Sequence, residues 1–353
     1  MMRRLLLCVL PALLLLSGCA APVDPDEARE SIQVIAMDTA MLITTYGERS
    51  PAAAYACEDV IRDLEKQLSR TDPDSAVSRL NAAGTLELGE LDEELIPILS
   101  AAETYRRETD GAFDITIAPV VAAWGFAGGE EYRVPGEAEL QELLERVDGS
   151  AVRVEDRTVT LDPGQAVDLG GIAKGYAAGK LTQIFNEYEV PRALAELGGN
   201  VLAWGDRPDG TPWRVGVQDP AHPDDRNALV GVLELVDSFA VTSGSYQRYF
   251  QQDGKTYHHI IDPATGRPAD SGLTSVTVVA GSGAGGAMCD AYSTALFVMG
   301  EEKALDFWRS RQGGALFSLV LVTEDGRVVV ADKTGQFNFV PEEGSGYTYE
   351  TVS

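Results

Sequence analysis

The chain is poor in cysteine, in cations and in long apolar runs, and each shortage narrows what it does. It has four cysteines. Cys8 lies in an N-terminal apolar stretch and Cys19 closes that stretch, which leaves Cys57 and Cys289 for the folded part. Two thiols make no disulfide framework; they either pair in an oxidising compartment or stay as two buried thiols. The 28 Lys and Arg stand against 55 Asp and Glu, a formal net charge of −27. Such a surface repels nucleic acid and anionic lipid, favours solubility and tolerates metal ions and cationic partners. Nucleic acid is therefore not an expected partner. The N-terminal apolar run, ending at Leu16, is too short to span a bilayer comfortably. There is no internal repeat, no heptad pattern and no low-complexity linker.

What is present begins with targeting. Residues 1–18 carry Arg3 and Arg4 and the apolar run, followed by Leu16-Ser-Gly-Cys19. That ending resembles a bacterial lipobox, which implies a signal peptide over 1–18 and a lipid on Cys19 as the first mature residue. An ordinary secretory signal cut nearby is the alternative. Residues 19–30, polar and with Pro22 and Pro25, suit a flexible tether. Losing 1–18 removes two arginines and no acid, so the charge moves from −27 to −29. About 335 residues then remain, enough for one large domain or two. With no linker in view, one domain over 31–345 is the simpler reading.

The pattern along the chain is mixed α and β. Ser50-Pro51 reads as an N-cap with proline at the first helical position, followed by Val60, Leu64 and Leu68 at helical spacing. Leu91, Leu95, Leu99 and Ala102 predict another helix, kinked at Pro97. Leu140, Leu143, Leu144 and Val147 predict a third. Residues 151–161 alternate as a hairpin around Glu155-Asp156. Strand-like runs follow at 192–203, 213–218, 229–236 and 274–280. Helices are expected at 287–299 and 302–311, then a hairpin around Glu324-Asp325-Gly326. The hairpins argue against a purely parallel doubly wound sheet. The expected fold is a mixed α/β (α+β) domain, with helices packed on mainly antiparallel sheets.

Five stretches are candidates for chemistry. Asp168-Leu-Gly-Gly-Ile-Ala-Lys-Gly175 puts an acidic residue and two glycines before an apolar-periodic segment, 172–188. Glycines let a backbone approach a ligand, a helix start favours anions, and Lys174 adds positive charge. The stretch reads equally as a phosphate site or as a tight strand-to-helix turn. Thr109-Asp-Gly-Ala-Phe-Asp-Ile-Thr116 has a turn at Asp110-Gly111 and a strand-like continuation to Trp124-Gly-Phe126. Phe113 and Asp114 would contact a ring and a ribose hydroxyl, or serve as core and cap. Leu197-Gly-Gly-Asn200 offers backbone N–H groups at a strand end, or a bulge. Val241-Thr-Ser-Gly-Ser-Tyr246 precedes His258-His-Ile-Ile-Asp-Pro-Ala-Thr-Gly266. Adjacent side chains of an extended segment face opposite ways, so one histidine faces a site. In Cys289-Asp-Ala-Tyr-Ser-Thr294, a carboxylate and a hydroxyl four apart share a helix face. They are hard oxygen ligands suited to magnesium, or a helix-start acid and a hydroxyl bonded back to its own helix.

Together these stretches resemble the ApbE family, the FAD:protein FMN transferases. The likeness spans 37–300 and includes Met37-Asp-Thr39, Asp74-Ser75 through Leu80-Asn81, Gly111-Ala-Phe-Asp114 and Trp124-Gly-Phe126. It continues through 168–175, Gly198-Gly-Asn200, Thr242-Ser-Gly244, His259-Ile-Ile-Asp-Pro263, and Asp290 with Thr294. The resemblance implies FAD contacts from Met37, Thr71, Ala112, Phe113, Asp114, Asp168, Lys174, Gly198, Gly199, His259 and Ile260. It implies magnesium held by the Gly171 carbonyl, Asp290 and Thr294. Two positions depart from the family pattern. Asp38 stands where glycine is common, and Thr71 stands where an aromatic packs on the flavin nucleotide. Thr71 cannot stack, so ring packing comes from elsewhere or is weaker.

The implied reaction is Mg2+-dependent phosphoryl transfer. A serine or threonine hydroxyl of an acceptor protein attacks the FMN-side phosphorus of FAD, and AMP leaves. His259 or Asp262 is the candidate base. The implied acceptor is an extracytoplasmic redox or electron-transfer protein, met by an enzyme lipid-anchored to the bacterial cell membrane. Two other activities share the same residues: a metal-dependent FAD pyrophosphatase releasing FMN and AMP, and a flavin-binding lipoprotein without turnover.

Overall fold

The computed structural model describes residues 28–128, 131–311, 317–333, 335 and 337–353. The expected signal peptide, Cys19 and all of the tether before Ala28 lie outside the described residues. A nine-stranded sheet organises the rest. Its strands lie side by side in the order Arg29–Ala36, Thr39–Tyr46, Arg192–Leu197, Asn200–Trp204, Ser238–Gly244, Leu273–Gly281, Ser318–Thr323, Arg327–Ala331 and Thr348–Val352. Every neighbouring pair is antiparallel except the last, which is parallel. The sheet thus takes in residues on both sides of the expected 31–345 span.

Seven α-helices occur among the described residues: α1 (Ser50–Leu68), α2 (Ala76–Ala83), α3 (Leu95–Glu108), α4 (Ala118–Ala123), α5 (Glu137–Leu144), α6 (Ala173–Glu187) and α7 (Gly286–Ser310). Helices α1, α6 and α7 cover one face of the sheet. Ile61, Leu64, Ala177, Leu181, Leu296 and Phe297 fill that core against Ile43, Ala195 and Val276. On the other face Ala240, Val279, Val320 and Val328 pack against a three-stranded sheet, Trp213–Gln218, Leu229–Leu235 and Phe337–Pro341. With apolar layers on both sides, a central strand such as Leu273–Gly281 is buried along almost its whole length, Ser275 and Thr277 included. A third cluster joins Trp124 and Phe126 to Leu140 and Ile261.

Several elements differ from the sequence reading. Ser50 is the first residue of α1, and Arg49 takes the cap position. Pro97 lies in the first turn of α3, where the missing N–H has no intrahelical acceptor, so it produces no kink. Residues 115–117 form a 3-10 turn leading into α4, not a strand, with Pro119 in the first turn of α4. The run 192–203 is two strands, because Gly198 and Gly199 both take positive φ and turn the chain back. The two expected helices after 286 share α7, which breaks at Gly300, φ 78°. Cys57 and Cys289 are free, buried thiols, and burial pushes the Cys57 thiol up to about 12.

Candidate functional site

The site gathers at the start of α6. Asn81 holds the approach to it: its Nδ2 donates to the Val167 carbonyl at 2.9 Å, and the Val167 N–H donates to its Oδ1 at 2.8 Å. The Asp168 N–H donates to the Ile115 carbonyl at 2.8 Å. With its backbone fixed, Asp168 uses Oδ1 to accept the Gly170 N–H at 2.8 Å. Its Oδ2 meets the Arg70 guanidinium at 3.1 Å, and the two side chains are only 14% and 17% exposed. Arg70 also donates to the Phe126 carbonyl at 2.8 Å. Lys174, in the first turn of α6, reaches back to the Gly170 carbonyl at 3.4 Å.

Asp290 and Thr294 come to this place from α7. The Gly175 N–H donates to Asp290 Oδ2 at 2.8 Å, and Asp290 is buried. Asp290 therefore closes the first turn of α6, a neighbouring helix, and does not act at the start of its own. The two helices cross at close range. A Cβ on Gly175 would lie 2.2 Å from the Gly286 carbonyl oxygen, and one on Gly286 would lie 2.4 Å from the Gly175 carbonyl oxygen. One turn beyond Asp290, Thr294 Oγ1 lies 3.3 Å from Ser243 Oγ. A Cβ on Gly171 would be 3.5 Å from that Oγ1 and 3.2 Å from the Phe113 ring. Gly171, Thr294 and Phe113 thus converge.

The donors fit a hard cation in a limited way. Among the described residues no three His, Cys, Asp or Glu gather as a metal cluster. A metal at Gly171, Asp290 and Thr294 would rest on one carboxylate and two neutral oxygens. That set suits magnesium, which keeps waters and takes substrate phosphate oxygens.

Two hairpin turns pack side by side, Thr39 of one against Gly198 of the other. Met37 and Asp38 both take positive φ, 50° and 59°, as a type I′ two-residue hairpin turn requires. The Met37 N–H donates to Glu65 Oε1 at 2.7 Å, which ties the turn to α1. Thr39 packs on Gly198, where a Cβ would lie 2.5 Å from its Oγ1. The Gly199 carbonyl accepts the Thr242 N–H at 3.1 Å, and Ser243 then leads to Thr294.

The two histidines are held differently. The His258 Nε2 donates to the Ala269 carbonyl at 3.1 Å, and its Nδ1 accepts the Ile260 N–H at 3.3 Å. The His259 Nδ1 donates to the Arg248 carbonyl at 3.2 Å, a bond that fixes the tautomer and leaves Nε2 as an acceptor. The His259 ring packs edge-on against Phe126 at 6.3 Å. Burial, with the Arg248 charge beside it, pushes its pKa down to about 3, so the ring is neutral near pH 7. Ile260 is core.

Two expected site residues serve their own turns. Asp262 accepts the Ala264 N–H at 2.8 Å and the Thr265 hydroxyl at 3.1 Å. Trp124 holds that turn by donating its indole N–H to the Gly266 carbonyl at 2.7 Å. Asp114 accepts from the Thr116 N–H and hydroxyl at 2.8 and 2.6 Å and from the Gly149 N–H at 2.9 Å, which caps the 115–117 turn and ties it to Gly149. Thr71 lines a cavity of about 910 Å3, with Arg70, Asn81, Pro119, Gly128 and Val167. Asn81 and Ser243 stand inside the blocks that carry the resemblance, without the roles seen here, and Arg70 escapes a reading of the sequence. The only local sign of Arg70 is its place beside Thr71.

Residues 37–317 match the model of the ApbE family. The chain is 32% identical to a Salmonella typhimurium protein named FAD:protein FMN transferase, over 88% of this chain and 91% of that one. Among solved structures, the ApbE protein of Thermotoga maritima superposes with a TM-score of 0.76 at 34% identity, covering 85% of this chain and 96% of that one. The flavin transferase ApbE of Vibrio cholerae gives 0.72 at 26% identity, covering 90% and 98%.

Proposed function

Because the chain belongs to the ApbE family, we propose that it is an FAD:protein FMN transferase that moves FMN from FAD to a serine or threonine of an acceptor protein. The convergence of Gly171, Asp290 and Thr294 on the Lys174 end of α6 carries this reading. A helix start with a lysine in its first turn suits a diphosphate. The Met37–Asp38 turn and the Gly198-Gly199 turn form the wall along which the dinucleotide would lie.

The acceptor hydroxyl oxygen forms the new bond to the FMN-side phosphorus. The bond from that phosphorus to the bridging oxygen breaks, and AMP departs with the bridging oxygen. His259 Nε2 is the acceptor for the hydroxyl proton, since Nδ1 is committed to the Arg248 carbonyl. Asp262 is the weaker candidate, because both its oxygens already serve its turn. Magnesium, held by the Gly171 carbonyl, Asp290 and Thr294, would neutralise diphosphate charge. Lys174 adds a fixed positive charge at the same end.

We further propose that the enzyme works outside the cytoplasm, lipid-anchored through Cys19, on an extracytoplasmic redox protein. The support is the lipobox-like Leu16-Ser-Gly-Cys19.

The test is the full chain with FAD, magnesium and an acceptor carrying a Ser/Thr flavinylation motif. Labelled acceptor and one AMP per label are expected. Free FMN as the main product would make the protein a pyrophosphatase, and bound FAD without turnover would make it a storage protein. Asp290→Asn keeps an oxygen for the Gly175 N–H but loses the charged ligand, so folding should hold while magnesium stimulation falls steeply. An unchanged metal response would confine Asp290 to closing α6.

A further inference from the structure

Arg70 joins two segments that are far apart in sequence. One end of its fork meets Asp168, which precedes the Gly170-Gly171 turn, at 3.1 Å. The other donates to the Phe126 carbonyl at 2.8 Å, and the Phe126 ring packs against His259 at 6.3 Å. Asp168 is itself fixed by Ile115 and Gly170. The guanidinium thus joins the Asp168–Gly171 turn to the Phe126 segment that packs on His259. At 17% exposure it sits where a charge is costly unless paired, and both of its named partners are fixed by the fold. A fork is the shape this needs. A guanidinium addresses a carboxylate and a carbonyl together, whereas an ammonium is a point charge that serves them less well at once.

We infer that Arg70 is a positioning residue for the transfer reaction: it sets the spacing between the Asp168–Gly171 turn and the Phe126–His259 wall. The inference rests on the flavin transferase reading above and adds to it a residue that touches neither reacting atom. In a near-attack arrangement a displacement of about 1 Å costs on the order of 10²-fold in rate. Loss of the spacing therefore appears in kcat, while FAD binding, supplied by the hairpin wall and α6, changes little.

The experiment is a cycle of four full-length proteins: wild type, Arg70→Lys, His259→Ala and the double variant. FMN transfer to the acceptor is followed at saturating and limiting FAD, with FAD binding and thermal unfolding measured separately. Arg70→Lys keeps the charge beside Asp168 and is expected to fold. It should lower kcat about 10- to 100-fold, with the KM for FAD within about threefold. In the His259→Ala background the same change should have little effect, because the group being positioned is already gone. Equal losses in both backgrounds would overturn the inference, as would wild-type kcat in Arg70→Lys. A loss confined to FAD binding or to the unfolding temperature would also overturn it, and leave Arg70 a binding or structural residue. A wild-type protein that binds FAD but labels no acceptor would instead remove the transferase reading, and Arg70's role in transfer with it.

Discussion

The two adjacent histidines differ in what their ring nitrogens have left to give. His258 spends both on Ala269 and Ile260, and its ring stands edge-on to Phe297 at 5.5 Å. His259 keeps Nε2. We expect His259→Ala to slow single-turnover labelling of the acceptor by about 10²–10⁴-fold while FAD binding persists. His258→Ala should lower the unfolding temperature and leave the labelling rate nearly unchanged. Equal, small rate effects from both would move the proton to Asp262. A second expectation concerns acid. The His259 pKa is depressed in the folded protein, so folding favours the neutral ring. Its contribution to stability is complete above the unfolded value of about 6.5 and is lost as pH falls from there toward about 3. Between pH 8 and 6 the rate should show no step from His259 protonation. An NMR titration placing the His259 pKa near 6.5 would contradict the desolvated, tautomer-fixed ring.

At the scale of elements, the crossing of α6 and α7 sets where Asp290 and Thr294 stand. Gly175 and Gly286 let the helices approach until Asp290 reaches the Gly175 N–H. Gly175→Ala would put a methyl 2.2 Å from the Gly286 carbonyl oxygen, which forces the helices apart. A loss of about 1–3 kcal/mol in chemical denaturation is expected, together with a weaker magnesium response. Unchanged stability would mean the crossing is slack. That Asp290 and Thr294 share a helix face is legible in the sequence because the spacing is local, one turn on one helix; that Asp290 closes α6 is not. The turn at 168–175 was legible for the same reason. Arg70 was not, since its partners lie at 126 and 168 and only the fold brings them together. The first hairpin was hidden by Ile35, an apolar side chain 73% exposed on the outer face, which spoils the alternation. In 109–116 the β-rich run outweighed Pro119, which marks a helix start. At 192–203 two glycines inside an apolar stretch were read as a strand end, without the return strand they create.

At the scale of the molecule, the anchor is the expectation to check. Cys19→Ala should stop lipidation and leave the protein soluble or unprocessed. A variant still acylated and membrane-bound would sink the lipobox reading. Among the described residues no helix is long and apolar enough to cross a membrane.

The edge strand Arg29–Ala36 has a consequence for distance. It leads straight from the end of the tether to the Met37–Asp38 turn. Nine residues, ten Cα–Cα steps, separate Cys19 from Arg29, a leash of at most about 35 Å when drawn taut. The strand then carries the chain a further ~25 Å, at about 3.3 Å per residue. A lipid on Cys19 would hold the Met37 turn within roughly 60 Å of the bilayer surface. An acceptor whose threonine stands farther out than that would escape labelling, and lengthening the leash by ten residues should bring it back into range.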